Sequence, residues 1–172
     1  MSQSLAVTAY VGLGANLGEP VQALQQALHA LSSSAGVSAL RSSGFYRSAP
    51  LGAGGPDFVN AVAQLTTTLS APDLLGVLHC VESAAGRQRP YRNAPRTLDL
   101  DLLLYGHARM DWPVLTVPHP RMWQRAFVLK PLAEIAPDLV PEAALAAVAG
   151  QSVERLHYGA RRSRTQVALS SL

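Results

Sequence analysis

A chain of 172 residues with 48% hydrophobic residues and a net charge of only +3 is the size of one domain with a single core, able to bury about 70% of its unfolded surface. That balance excludes a disordered chain and a coiled coil, gives no charge-based reason to expect nucleic-acid binding, and the single cysteine excludes an internal disulfide. The longest apolar runs, such as Ala143 to Ala149, fall far short of the ~18 residues of a membrane helix, and the apolar stretch from Leu5 to Ala15 lacks the basic residues that open a signal peptide, so a cytoplasmic protein is expected.

Residues 5 to 13, LAVTAYVGL, are β-prone and close on Gly12, Gly14 and Gly18, after which Pro20 suits a first helical turn. Val21, Leu24, Leu28 and Leu31 then fall on one helical stripe that ends at Ser32 to Gly36. Val37 to Tyr46 is a second strand, and Phe58 to Leu69 a third with a Thr-rich end. Ser70 to Asp73 spells a capping box for a helix running to about Ala85, with Leu74, Leu75, Leu78 and Val81 inward and Gly86 as its stop. Cys80 lies in this pattern with no ligand set nearby and reads as a core filler. Leu98 to Tyr105 is a fourth strand, followed by a proline-marked VPHP segment and a helix near Phe127 to Ala136.

The order strand, helix, strand, strand, helix, strand is that of an α+β, ferredoxin-like βαββαβ unit. Both helices would cover one face of an antiparallel sheet and leave the other open to a ligand. Residues 1–150 are taken as a single domain and 151–172 as an extension or tail, with Arg161, Arg162 and Arg164 at a solvated end.

Period-two alternation says which side chains point to the open face. In the third strand Val59, Ala61, Ala63 and Leu65 face the helices, while Phe58, Asn60, Val62 and Gln64 point away. In the fourth, Leu98, Leu100, Leu102 and Leu104 face the helices, and Asp99 and Asp101 project together on the open face, about 6.5 to 7 Å apart at Cα. Such a pair either lies solvated or bridged to arginine, or holds a hard cation such as Mg²⁺ that keeps waters and takes phosphate oxygens. The four arginines just upstream, Arg87, Arg89, Arg92 and Arg96, favour the second reading. Thirteen of the fourteen cationic side chains are arginine, whose fork suits phosphate. Metal ligands beside such a cluster point to phosphoryl transfer, which runs on positioning and charge neutralisation.

Two long loops, Arg47 to Pro56 and Gly86 to Pro95, are either loose surface or lids. Glycines 12, 14 and 18 miss the G-x-G-x-x-G spacing, since position 17 is Leu17, and read as a tight strand-to-helix turn. His119, held between Pro118 and Pro120, is as open to a structural as to a functional role.

The segment Ala94 to Asp101, APRTLDLD, closely resembles the PRTLDLD signature of the 6-hydroxymethyl-7,8-dihydropterin pyrophosphokinase (HPPK) family. YVGLGANLG, FYRSAPLG, PDFVNAV, the GR before the arginine loop, LTVPHPRM and RAFVLKPLAEIAP are similar to that family in the same order, over residues 10 to about 140. The resemblance implies a ferredoxin-like fold and transfer of diphosphate from MgATP to the pterin hydroxymethyl group in folate biosynthesis, leaving AMP. It implies Asp99 and Asp101 as ligands of two Mg²⁺ ions, Arg87, Arg89 and Arg96 at the phosphates, and Arg125 and His119 at the nucleotide. The pterin would stack between Phe58 and Phe127, with Asn60 and the backbone of Ser48, Ala49, Pro50 and Leu51 reading its edge. A monomer is expected, with the dihydropterin and ATP as partners and neither nucleic acid nor membrane. The chain departs from the family pattern in three places: no tryptophan precedes PRTLDLD, where Tyr91, Arg92 or Asn93 stands, Pro120 follows the VPH histidine, and the tail beyond about residue 150 has no obvious counterpart.

Two other readings use the same residues. An RNA-recognition-like module could stack bases on the open sheet face, but the glycine, aromatic and basic pattern of such a strand is missing. A Mg²⁺-dependent nuclease would keep the carboxylates and leave Phe58 and Asn60 without a purpose.

Overall fold

The structure, a computed structural model, describes residues 5–52, 54–86 and 97–157. The expectations for Arg87, Arg89, Arg92 and Arg96, for a lid over 87–95, and for the Arg161, Arg162 and Arg164 tail lie outside the described residues. Among the described residues, no helix is long and apolar enough to cross a membrane.

The chain runs β1 (Val7–Ala15), α1 (Pro20–Ser32), β2 (Val37–Ser42), β3 (Tyr46–Ser48), β4 (Phe58–Thr67), α2 (Ala71–Ala84) and β5 (Asp99–Tyr105). A small hairpin of β6 (Met110–Trp112) and β7 (Leu115–Val117) follows, then α3 (Ala126–Ile135), α4 (Glu142–Ala147) and β8 (Val153–Arg155). Among the described residues this is an α+β fold of four α-helices and an antiparallel main sheet of order β5-β1-β4-β3-β8, with β2 also paired to β4 and α4 packed on α3.

Local chemistry sets the helix starts. Pro20 occupies the first turn of α1, where its missing N–H costs nothing, and the hydroxyl of Ser70 accepts the Asp73 N–H to cap α2. Leu24 and Leu31 of α1 and Leu74 and Leu78 of α2 are fully buried against Val11, Leu13, Ala61, Ala63, Leu65, Leu98 and Leu100. Each buried leucine removes apolar area worth about 2 kcal/mol, so this face of the sheet is sealed.

Three expectations give way here. The stretch Val37 to Tyr46 is two strands, broken at Ser43 to Phe45, because Ser43 supplies a side-chain substitute for the ladder: its N–H donates to the Val62 carbonyl at 2.9 Å and its hydroxyl accepts the Val62 N–H at 3.0 Å. Leu104 is not on the helix-facing row, because the pairing with β1 slips there: Val11 faces Leu102 and Tyr10 faces Leu104, leaving Leu103 as the extra residue. Such a bulge reverses the alternation beyond it, so Leu103 and Leu104 both join the opposite face while Tyr105 packs against the core cluster on the helix side. Cys80 is exposed rather than a core filler. The residue of α2 that is buried beyond Leu74 and Leu78 is Glu82, one turn further on the same stripe.

The second face is not wholly open. Its far half is covered by α3 and the turn before it: Tyr10, Val62 and Leu103 pack with Met122, Val128, Leu129, Leu132 and Ile135. Residues 151–155 of the C-terminal segment are also built in, since β8 pairs with β3 through Val153–Ser48, Glu154–Arg47 and Arg155–Tyr46.

Candidate functional site

The half of the second face that α3 leaves uncovered is a cavity of about 170 Å³. Its floor follows from strand register. Reading across from β5 to β1 to β4, one row is Asp101, Gly12, Val62 and the next is Asp99, Gly14, Asn60. Paired residues share a face, so both carboxylates and the Asn60 amide point into one space, about 10 Å apart across two strand spacings. Between them stand glycines.

Gly12 and Gly14 are therefore not the turn that their spacing suggested; both lie inside β1, and of the three glycines only Gly18, at φ +61°, takes the turn conformation. Their function is a missing side chain. A Cβ on Gly14 would stand 3.3 Å from the Asn60 Oδ1, and glycine inside a strand marks a place where something approaches the backbone closely. Period two would have found this: Tyr10, Gly12, Gly14 and Asn16 alternate on one face, and Asn16, buried and donating to the Pro56 carbonyl at 3.2 Å, also lines the cavity.

The carboxylate side is held from below. The N–H of Leu100, between Asp99 and Asp101, donates to the Glu82 Oε1 at 2.8 Å, and Glu82 is only 1% exposed. A buried acid on the apolar stripe of α2 thus anchors the edge strand at the point between the two aspartates. Sequence reasoning passed over it because it looked for acids that face the ligand.

The other wall comes from β3, β4 and α3. Ser48, Ala49, Pro50, Leu51, Phe58, Asn60 and Phe127 all line the cavity. The Asn60 Nδ2 donates to the Ser48 hydroxyl at 2.8 Å, both residues being buried, which fixes the amide so that its oxygen faces the Gly14 side. Phe127 sits on the first turn of α3, and the Arg125 guanidinium carbon lies 5.5 Å from its ring centre, within cation–π range. Arg125 lines the same cavity.

His119 follows β7 and does not line this cavity. Its N–H donates to the Leu103 carbonyl at 2.8 Å and its Nδ1 accepts the Arg121 N–H at 3.2 Å. Burial holds its imidazole below the ordinary range; the Asp101 and Asp99 charges oppose that, and Arg125 and Arg121 add to it. It therefore lies in the field of the site without forming its wall.

Ten of the fourteen residues named from the sequence meet in one cavity: Ser48, Ala49, Pro50, Leu51, Phe58, Asn60, Asp99, Asp101, Arg125 and Phe127. Among the described residues no group of three or more His, Cys, Asp or Glu could hold a metal on its own. The donor set is two oxygen-bearing carboxylates on a rigid strand, which suits a hard cation that draws its remaining ligands from water and substrate. Chemically, the cavity pairs an acidic edge with an aromatic slot and a fixed amide.

A family model described as 7,8-dihydro-6-hydroxymethylpterin-pyrophosphokinase (HPPK) matches residues 10–137. The chain is 47% identical over 132 residues to a 2-amino-4-hydroxy-6-hydroxymethyldihydropteridine pyrophosphokinase of Synechocystis sp., covering 77% of this chain and 68% of that protein. Its counterpart in Pseudomonas aeruginosa is 48% identical over 155 residues, covering 86% of this chain and 95% of that one. Among solved structures, a Plasmodium falciparum HPPK-DHPS chain with pteroate is similar at a TM-score of 0.60 over 78% of this chain, at 12% identity. That likeness speaks for the fold alone, and the present chain spans 40% of the solved one. By the family match and the two bacterial relatives, the chain belongs to the HPPK family.

Proposed function

We propose that this protein transfers diphosphate from ATP to the hydroxymethyl group of 6-hydroxymethyl-7,8-dihydropterin, a step of folate biosynthesis. The observation that carries the reading is the row Asp99, Gly14, Asn60, which sets an acidic edge and a fixed amide about two strand spacings apart over a glycine floor. In the reaction the pterin hydroxyl oxygen bonds to the β-phosphorus of ATP, the bond from that phosphorus to the α,β-bridging oxygen breaks, AMP leaves with that oxygen, and the hydroxyl proton is released.

Phe58 and Phe127 sandwich the pterin ring, the Asn60 amide oxygen takes a ring donor, and Ser48 keeps that amide from turning over. The backbone from Ser48 to Leu51 reads the rest of the edge. Asp99 and Asp101 would hold Mg²⁺, two ions in all, which neutralises charge on the phosphates when bound. Arg125 and His119 serve the nucleotide, and Arg87, Arg89 and Arg96 the transferring phosphates. On this reading the fold is ferredoxin-like, residues 1–150 form the body of the pyrophosphokinase domain, to which the extension adds β8, and the protein works as a cytoplasmic monomer.

Titration calorimetry with the pterin, a non-hydrolysable ATP analogue and single-stranded RNA, each with and without Mg²⁺, tests the proposal. Mg²⁺-dependent nucleotide binding, pterin binding and no RNA binding are expected. RNA binding without pterin binding would sink it.

A further inference from the structure

The first turn of α3 carries Arg125 and Phe127, yet it has no cap from its own sequence: Arg125 stands at the N-cap and makes no side-chain cap bond. The missing cap comes from 25 residues away. The Gln151 Oε1 accepts the Ala126 N–H at 2.9 Å, and its Nε2 donates to the Gln124 carbonyl at 2.8 Å. One side-chain amide thus bonds to the backbone on both sides of Arg125. An amide can do this because it carries a donor and an acceptor on one rigid plane.

The residues after Gln151 clasp the opposite wall. Val153 pairs with Ser48 in the β3–β8 ladder, its carbonyl accepts the Lys130 Nζ of α3 at 3.0 Å, and Ser48 in turn holds Asn60. Glu154 bonds Arg47 at 2.6 Å and Arg155 bonds Glu134 at 3.0 Å. Residues 151–155 therefore tie the α3 wall to the β3 wall across the cavity, although the family match ends at residue 137.

We infer that Gln151 is a positioning residue for the proposed reaction: it fixes the backbone around Arg125 so that the guanidinium and the Phe127 ring meet the substrates at the right place. The inference rests on the proposed pterin and nucleotide binding. It differs from a plain stabilising role, because the bracket acts on the site wall whereas neither residue of the Arg155–Glu134 pair, at the other end of the same segment, lines the cavity.

Gln151→Met keeps the length and removes both hydrogen bonds; Arg155→Met removes the far pair. Affinity for 6-hydroxymethylpterin by fluorescence, KM for ATP, melting temperature, and exchange of the Ala126 amide would be measured for both variants and the wild type. Gln151→Met is expected to weaken pterin binding and raise the ATP KM by about two- to tenfold, the range of a lost neutral hydrogen bond, with faster Ala126 exchange. Arg155→Met is expected to lower the melting temperature with neither constant changed. Wild-type binding constants in Gln151→Met, or losses in both variants that merely follow their melting temperatures, overturn the inference. A wild type that binds neither ligand overturns the functional reading and the inference with it.

Discussion

One face of the sheet is sealed along its length and the other only along half, though the same strands supply both. On the sealed face β1 and β4 present Val11, Leu13, Ala61, Ala63 and Leu65 to two helices, and apolar rows continue on β5 through Leu100 and Leu102. On the other face the rows change character midway. Tyr10, Val62 and Leu103 are large and apolar and draw α3 onto them, whereas Gly12, Gly14, Asn60, Asp99 and Asp101 offer a helix nothing to bury. Partial closure thus follows from side-chain choice on three strands. The site is where hydrophobic packing stops, walled by the first turn of the helix that stops there.

The largest loss of activity is expected at the acidic edge. Asp99→Asn and Asp101→Asn are each expected to lower kcat by on the order of a hundred- to a thousandfold, as loss of one group stabilising transition-state charge does, while pterin affinity and melting temperature stay near the wild type. Near-normal kcat at ordinary Mg²⁺ in either variant would remove that position from the metal-binding role.

The sealed face should fail in the opposite way. Leu78→Ala opens a cavity among fully buried neighbours and is expected to cost about 2 to 5 kcal/mol in denaturant unfolding, with pterin affinity unchanged in the folded fraction. A smaller effect separates the two glycines of the floor. Gly14→Ala sets a methyl 3.3 Å from an Asn60 oxygen whose amide is pinned by Ser48, so pterin affinity should fall several-fold. Gly12→Ala meets only Leu103 at 3.5 Å, an ordinary contact, and should fall less. Equal losses in calorimetry would mean that Asn60 does not read the pterin.

The smallest effect is a pH dependence of the clasp. Burial pushes the Glu134 carboxyl up, but hydrogen bonds from Arg155, Tyr46 and the Gly44 N–H outweigh it and hold the group below its ordinary range. Ionised Glu134 therefore stabilises the fold above the ordinary glutamate pKa, and that contribution is lost as pH falls through the lowered value. The melting-temperature gap between wild type and Glu134→Gln should hold from neutral pH down to about 5 and narrow only as pH falls below the ordinary glutamate pKa towards the lowered value. A gap that widens would reverse the assignment.

Much of this was legible in the residues, for a physical reason. Period two is strict wherever a strand is regular, so Phe58, Asn60, Asp99 and Asp101 could be placed on one face from the pattern alone. It failed at Leu104 because a single bulged residue resets the phase, and nothing in a run of leucines marks where the ladder slips. Gly12 and Gly14 were misread because a glycine pair signals a turn as readily as a bare strand surface. Cys80 was within reach: two residues beyond Leu78 is about 200° around a helix and points to solvent. Glu82 and Gln151 were not, since both act through backbone groups 18 to 27 residues away in the chain.

Diphosphate transfer differs from every other phosphoryl transfer from ATP in its products. Wild-type protein incubated with ATP, Mg²⁺ and 6-hydroxymethyl-7,8-dihydropterin would be followed by phosphorus NMR until the pterin is consumed. One AMP is expected for each pterin diphosphate formed, and no nucleotide turnover when the pterin is left out. ADP with a pterin monophosphate, or ATP hydrolysis at the same rate without the pterin, would contradict it.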